Sequence, residues 1–162
     1  MIKTTPLIKG AITGLLMVAA TLLLVSAKVS AQSSLQYIVF ALYAAGIAWT
    51  LITYSRSENY TPAFKTIFGQ GFRCFIIVVL VMVIFRGIYI YLHPEIAEEG
   101  ARLYKEDLIR QGNKQLLEIE QIVAAAKKQF PVAEISLTIF GTLLSGAAFT
   151  VVGAFLLLMR KK

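Results

Sequence analysis

His93 and Glu95 are the one pair in this chain whose types and spacing suit acid–base work. An imidazole two residues from a carboxylate could relay a proton if a substrate came within hydrogen-bond reach. The pair flanks Pro94, however, and a histidine just before a proline is first of all a helix-end residue. The other candidate chemistry is arginine. Arg86 lies within the apolar stretch FGQGFRCFIIVVLVMVIFRGIYIYLHP, from Phe68 to Pro94. It sits about 9 Å from the Leu92 end by helical rise. Two readings stand. Arg86 could partner an anion, either a substrate or a buried carboxylate. Alternatively, its long side chain could snorkel to headgroups among Tyr89, Tyr91 and His93. Arg73, near the other end, reads as a boundary anchor.

The remaining residues exclude several chemistries. A single cysteine, Cys74, cannot form an internal disulfide or a thiolate metal cluster, and a single histidine cannot build a multi-histidine site. Cys74 falls within a span and reads as a small packing residue. Neither a Gly-rich phosphate loop with its lysine nor a His-Glu-x-x-His motif is present. All nine acidic residues lie outside the apolar segments, Glu134 only just. Ion-coupled carriers usually place a carboxylate within the membrane, so that class is disfavoured. The expectation is a protein without catalytic residues, metal or cofactor, and not an enzyme.

What must position these residues is a set of membrane helices. The chain has 162 residues, 57% hydrophobic and only 15% charged, the composition of an integral membrane protein. Four segments are long enough to cross a hydrocarbon core of about 30 Å: about 7–27, 35–54, 72–92 and 135–159. Val29-Ser30-Ala31 after the first imitates a signal cleavage site, but the apolar run exceeds the h-region of a signal peptide, so it is read as a retained span. Gly10 and Gly14 share a face that would admit a neighbouring helix closely, and Ala41, Ala44, Ala45, Gly46 and Ala48 make the second segment slim. The short polar linker 29–34 makes the first two segments antiparallel neighbours.

Between the second and third spans, Ser57-Glu-Asn59 reads as a turn. Thr61 reads as a cap and Pro62 as the first residue of a short interfacial helix, with Phe64, Ile67 and Phe68 facing lipid. Between the third and fourth, about 95–130 reads as an amphipathic helical hairpin. Glu98, Arg102, Glu106 and Arg110 form an exposed ladder; Ile96, Leu103, Tyr104 and Leu108 pack inward; Gly112-Asn113 is the stop. Leu116, Ile119, Val123, Ala126 and Phe130 line the second helix, which Pro131 ends. Net charge is +7, but the excess flanks the spans and marks topology, not nucleic acid. Lys3, Lys9, Arg56, Lys65, Arg73, Arg160, Lys161 and Lys162 fall on one side. The other side holds Lys28 and the hairpin, whose six basic residues are mixed with seven acids. Both termini are therefore expected in the cytoplasm and the hairpin outside.

The connector Tyr54-Ser-Arg56…Tyr60-Thr-Pro-Ala-Phe64-Lys65…Gly69-Gln-Gly71-Phe72, a third span ending in His93-Pro94, a charged helical stretch and a fourth span ending in lysines together resemble one family. This is the bacterial domain of unknown function 4199, small inner-membrane proteins found mainly in the Bacteroidota. The resemblance covers nearly the whole chain. It implies a multi-pass inner-membrane protein and carries over no site residue. The combined expectation is an all-α, four-transmembrane-helix bundle with an extracytoplasmic helical hairpin between spans three and four. It would act as an accessory or interaction protein, its partners the lipid bilayer and a membrane or periplasmic protein or a second copy. The alternative is a small-molecule or lipid-handling protein with Arg86 as anion contact.

Overall fold

The computed structural model describes residues 5–27, 35, 37–112 and 115–160. Its elements are five helices: α1 (Pro6–Ser26), α2 (Tyr37–Ser55), α3 (Phe64–Leu92), α4 (Glu95–Gln111) and α5 (Leu116–Met159). All but α4 are long and apolar enough to cross a membrane. The protein is thus all-helical with four candidate membrane spans. Linker 29–34 with its cleavage-like triplet, Lys3, Lys28, Asn113, Lys161 and Lys162 lie outside the described residues.

Local chemistry explains most of the helix ends. Thr5 caps α1, its hydroxyl accepting from the Ile8 N–H, and Pro6 takes the first position, where a missing N–H costs nothing. The turn at 57–60 closes through the Tyr60 N–H and the Ser57 carbonyl at 3.1 Å. Gly112 ends α4 with φ of 66°, a left-handed conformation that only glycine adopts freely, and its N–H reaches the Ile109 carbonyl.

Two boundaries differ from the sequence expectation. No separate interfacial helix starts at Thr61. The Ala63 carbonyl accepts the first helical bonds, from Thr66 and Ile67, and α3 runs unbroken for 29 residues from Phe64. Pro62 disfavours the helical region for Thr61, and the helix begins only after Ala63. Ile67, expected to face lipid, is fully buried. The second difference is larger. Pro131 does not end a helix but sits inside α5, which runs for 44 residues. Proline deletes one N–H, the donor to the Lys127 carbonyl, and the turns on either side continue without it.

The chain packs as two compact units, Met1–Met82 with Ile139–Lys162, and Val83–Thr138. In the first unit, helix contacts are made through glycines. A Cβ on Gly10 would collide with the Cys74 carbonyl, and one on Gly14 would lie 2.9 Å from Val81. On Gly46 it would overlap Thr13, on Gly71 Thr150, and on Gly146 the Tyr43 hydroxyl and Phe75. Lipid tails are as apolar as leucine, so membrane helices associate through close packing, and small residues permit it. The slim middle of α2 therefore acts as expected, and the Gly10–Gly14 face meets α3. Tyr43, 1% exposed, crosses to α5, donating to the Thr142 carbonyl at 3.1 Å and meeting Phe149 edge-on. Cys74 is a buried packing residue.

The second unit joins the end of α3, all of α4 and the first part of α5 around Ile90, Leu108 and Ile119. Lys127 pairs with Glu98 at 3.0 Å and Lys105 with Glu120 at 3.3 Å. As one residue number rises its partner's falls, so α4 and this part of α5 run in opposite senses. The expected ladder forms only in part. Arg102 lies 4.0 Å from Glu106 and 3.9 Å from Glu99, whereas Glu98 turns to Lys127. Leu103 and Tyr104, expected inside, are exposed, and so is Leu116.

Candidate functional site

Four charged residues of the second unit, Arg86, Glu98, Lys127 and Glu134, lie where α3, α4 and α5 meet. Arg86 lies in the last two turns of α3 and Glu134 one turn beyond Pro131 in α5. Their side chains form an ion pair, Arg86 Nη2 to Glu134 Oε2, with 31% and 26% of their surfaces exposed. Of the alternatives open for Arg86, the geometry provides a carboxylate from the same chain. A guanidinium donates in a fixed fork that suits a carboxylate better than an ammonium would.

The pairing is not legible from the sequence alone, because Pro131 predicts a helix end and the fourth apolar segment starts after Glu134. The usable signal was a lone acid at the edge of one apolar segment and a lone arginine inside another. Single charges at membrane depth are costly, so they tend to find each other.

His93 lies one residue past α3 and Glu95 opens α4. The imidazole Nδ1 is 2.6 Å from Glu95 Oε1, and the His93 ring lies 4.6 Å from that of Tyr89. Hydrogen bonding from His93 holds the Glu95 carboxyl below its ordinary value of 4.5. Both side chains are well exposed, 43% and 66%. The two therefore pair with each other at a helix junction and are open to water, a geometry that suits a clasp between α3 and α4. Arg73 is exposed in the third turn of α3, which begins eight residues before the expected span edge.

A cleft of about 450 Å³ opens in the same unit. Gly87, Ile90, Tyr91, Pro131 and Ile135 line it, with the Glu98–Lys127 pair at its rim. Gly87 and Ile135 are the chain neighbours of Arg86 and Glu134, so the ion pair and the cleft share two helical walls. Among the described residues, no group of three or more His, Cys, Asp or Glu side chains gathers as a metal site.

One charge in the first unit departs from the sequence expectation. Lys9, counted as a flanking cation, lies inside α1 at 3% exposure, with its ammonium 5.3 Å over the Trp49 ring. The ring face offers partial compensation for a desolvated cation. Spacing alone could not reveal this, because the ring comes from α2.

A family model matches residues 9–159. The chain belongs to that family, described as protein of unknown function (DUF4199). The match takes in Arg73, Arg86, His93 and Glu134, and both compact units apart from the first eight and last three residues. No curated protein and no solved structure matches the chain.

Proposed function

We propose that this protein is a non-enzymatic interaction protein of the bacterial inner membrane. Both termini face the cytoplasm, and an extracytoplasmic helical hairpin of α4 and the first part of α5 is offered to a protein partner. The observation that carries this reading is the Arg86–Glu134 pair. It commits the deep arginine of α3 to a carboxylate of the same chain, leaving it poorly placed to hold an incoming anion. Helix length supports the hairpin. The 44 residues of α5 measure about 66 Å at 1.5 Å each, against a hydrocarbon core of about 30 Å, so roughly half of α5 lies beyond it. On that part and on α4, Leu103, Tyr104, Leu116 and Leu117 expose 42–71% of their surface outside the apolar spans. Exposed apolar side chains framed by charges suit a protein contact.

A second reading is favoured by the cleft beside Gly87 and Ile135. An amphiphilic small molecule or lipid could bind there, with the Glu98–Lys127 rim taking its polar end.

Orientation and function are tested in one strain set. With Cys74→Ala as background, Gln115→Cys should react with a membrane-impermeant maleimide in cells whose outer membrane alone is permeabilised. Reaction only after inner-membrane lysis reverses the orientation. A photo-crosslinking residue at Leu103 or Leu116 should then yield one discrete protein adduct, absent when the probe is at the lipid-facing Leu23. No adduct at either position, together with saturable small-molecule retention abolished by Gly87→Leu, would replace the interaction reading with the second one.

A further inference from the structure

The C-terminal ends of α2 and α5 form a second site, in the other compact unit. Arg56 follows the last residue of α2 and Arg160 the last residue of α5, each extending its helix by one backbone bond, to Ile52 and Leu156. Both arginines line one cleft of about 270 Å³, together with Ser55, Tyr60, Ile52 and Leu157. Among the described residues, neither guanidinium has an ion-pair partner. The unit's one acid, Glu58, is exposed and does not line the cleft.

Two helix C-termini bring about half a negative charge each, so together they cancel about one of the two arginines. The cleft keeps a surplus of about one positive charge. Its wall is also held in place. The Tyr54 hydroxyl donates to the Asn59 carbonyl at 3.3 Å and accepts from the Thr61 N–H at 3.2 Å, pinning the loop that carries Tyr60. The Tyr54 and Tyr60 rings pack 5.4 Å apart. Ile52 lies one turn below Arg56, and Leu157 nearly one turn below Arg160, so about 5 Å of depth separates the cationic rim from an apolar floor. Paired cations over an apolar floor at the ends of two spans match the junction between a phosphate headgroup and its acyl chain.

We propose that this cleft binds the phosphodiester headgroup of an anionic phospholipid, with Arg56 and Arg160 on the phosphate and the first acyl carbons against Ile52 and Leu157. The site is separate from the hairpin and from Arg86, and requires only that α2 and α5 span the bilayer.

The lone tryptophan is a built-in reporter. Trp49 stands on α2 two turns from Arg56 and is 44% exposed. The full chain is reconstituted in phosphatidylcholine vesicles, and Trp49 quenching is titrated with brominated phosphatidylglycerol or, separately, brominated phosphatidylcholine. Wild type should be quenched at a several-fold lower fraction of the anionic lipid. Arg56→Gln and Arg160→Gln should each weaken that preference about five-fold, and the double variant should abolish it. Lys65→Gln, outside the cleft, should leave it unchanged. Adding inorganic phosphate separates the sources. Relief of quenching beyond that of chloride at equal ionic strength would identify a free-phosphate site and overturn the lipid assignment. Equal quenching of wild type by the two lipids would overturn it as well, whether or not the variants fold. So would a Lys65→Gln effect as large as that of either arginine.

Discussion

Removing the Arg86–Glu134 pair one residue at a time, and then both together, measures what the contact contributes. Exposed ion pairs contribute about 0.2–1 kcal/mol, whereas breaking a buried pair costs about 3–5 kcal/mol because a bare charge is left behind. At 31% and 26% exposure the two side chains fall between these cases. The expected coupling is about 1–2 kcal/mol, a factor of about five to thirty in the folding equilibrium. Arg86→Leu and Glu134→Leu should each destabilise the protein by about 2 kcal/mol, since each strands the opposite charge beside an apolar wall. The double variant should cost clearly less than the sum, because no charge is left stranded. Arg86→Lys should recover part of the loss, keeping the charge without the planar fork. The assay is reversible unfolding in mild detergent titrated with dodecyl sulfate, followed by helical circular dichroism. A coupling within about 0.5 kcal/mol of zero, with strictly additive singles, would show that the two side chains are independent. Arg86 would then not be held by Glu134, and the interaction role would lose its main support.

Three further outcomes are expected. Gly46→Ala and Gly146→Ala should each destabilise the first unit by about 1–3 kcal/mol, because the new methyl meets Thr13 or Tyr43 and Phe75. Gly69→Ala and Gly141→Ala, with nothing within 4 Å of the new carbon, should be neutral or stabilising by up to about 1 kcal/mol; thermal midpoints in detergent separate the two classes. Thr150 is fully buried, and among the described residues its hydroxyl has no hydrogen-bond partner, so Thr150→Val should match or exceed wild-type stability in the same unfolding assay; a loss above about 1 kcal/mol would mean the hydroxyl is engaged. Because the folded-state value of Glu95 is depressed, its clasp with His93 contributes fully above the ordinary carboxylate value and is lost as pH falls through the depressed one; Glu95→Gln should flatten that acid limb, read as hydrogen-exchange protection at the start of α4.

Much of the architecture follows from patterns along the chain. Apolar runs of spanning length define α1 and α2 to within two residues at their described ends, since nothing but a helix satisfies its own backbone in hydrocarbon. Gly112 marks the end of α4 because only glycine takes that φ freely. The Gly10–Gly14 spacing and the slim α2 announced close packing, but not which helix each would meet. Charges were harder to place. A buried Lys9 over Trp49, Glu98 turned to Lys127 and Arg86 joined to Glu134 across 48 positions all depend on which helices lie side by side.

The sequence by itself determined a helical chain with four segments long and apolar enough to cross a membrane and a charged helical insertion, because hydropathy over 20 residues and glycine stereochemistry are local properties. Only the tertiary structure decided that Pro131 lies within one long helix, because a single lost backbone bond is outweighed by the turns packed on either side of it. It alone decided the partner of Arg86 and the cleft that Arg56 and Arg160 both line, because the energy of a charge depends on its neighbours in space, and those neighbours are dozens of residues away along the chain.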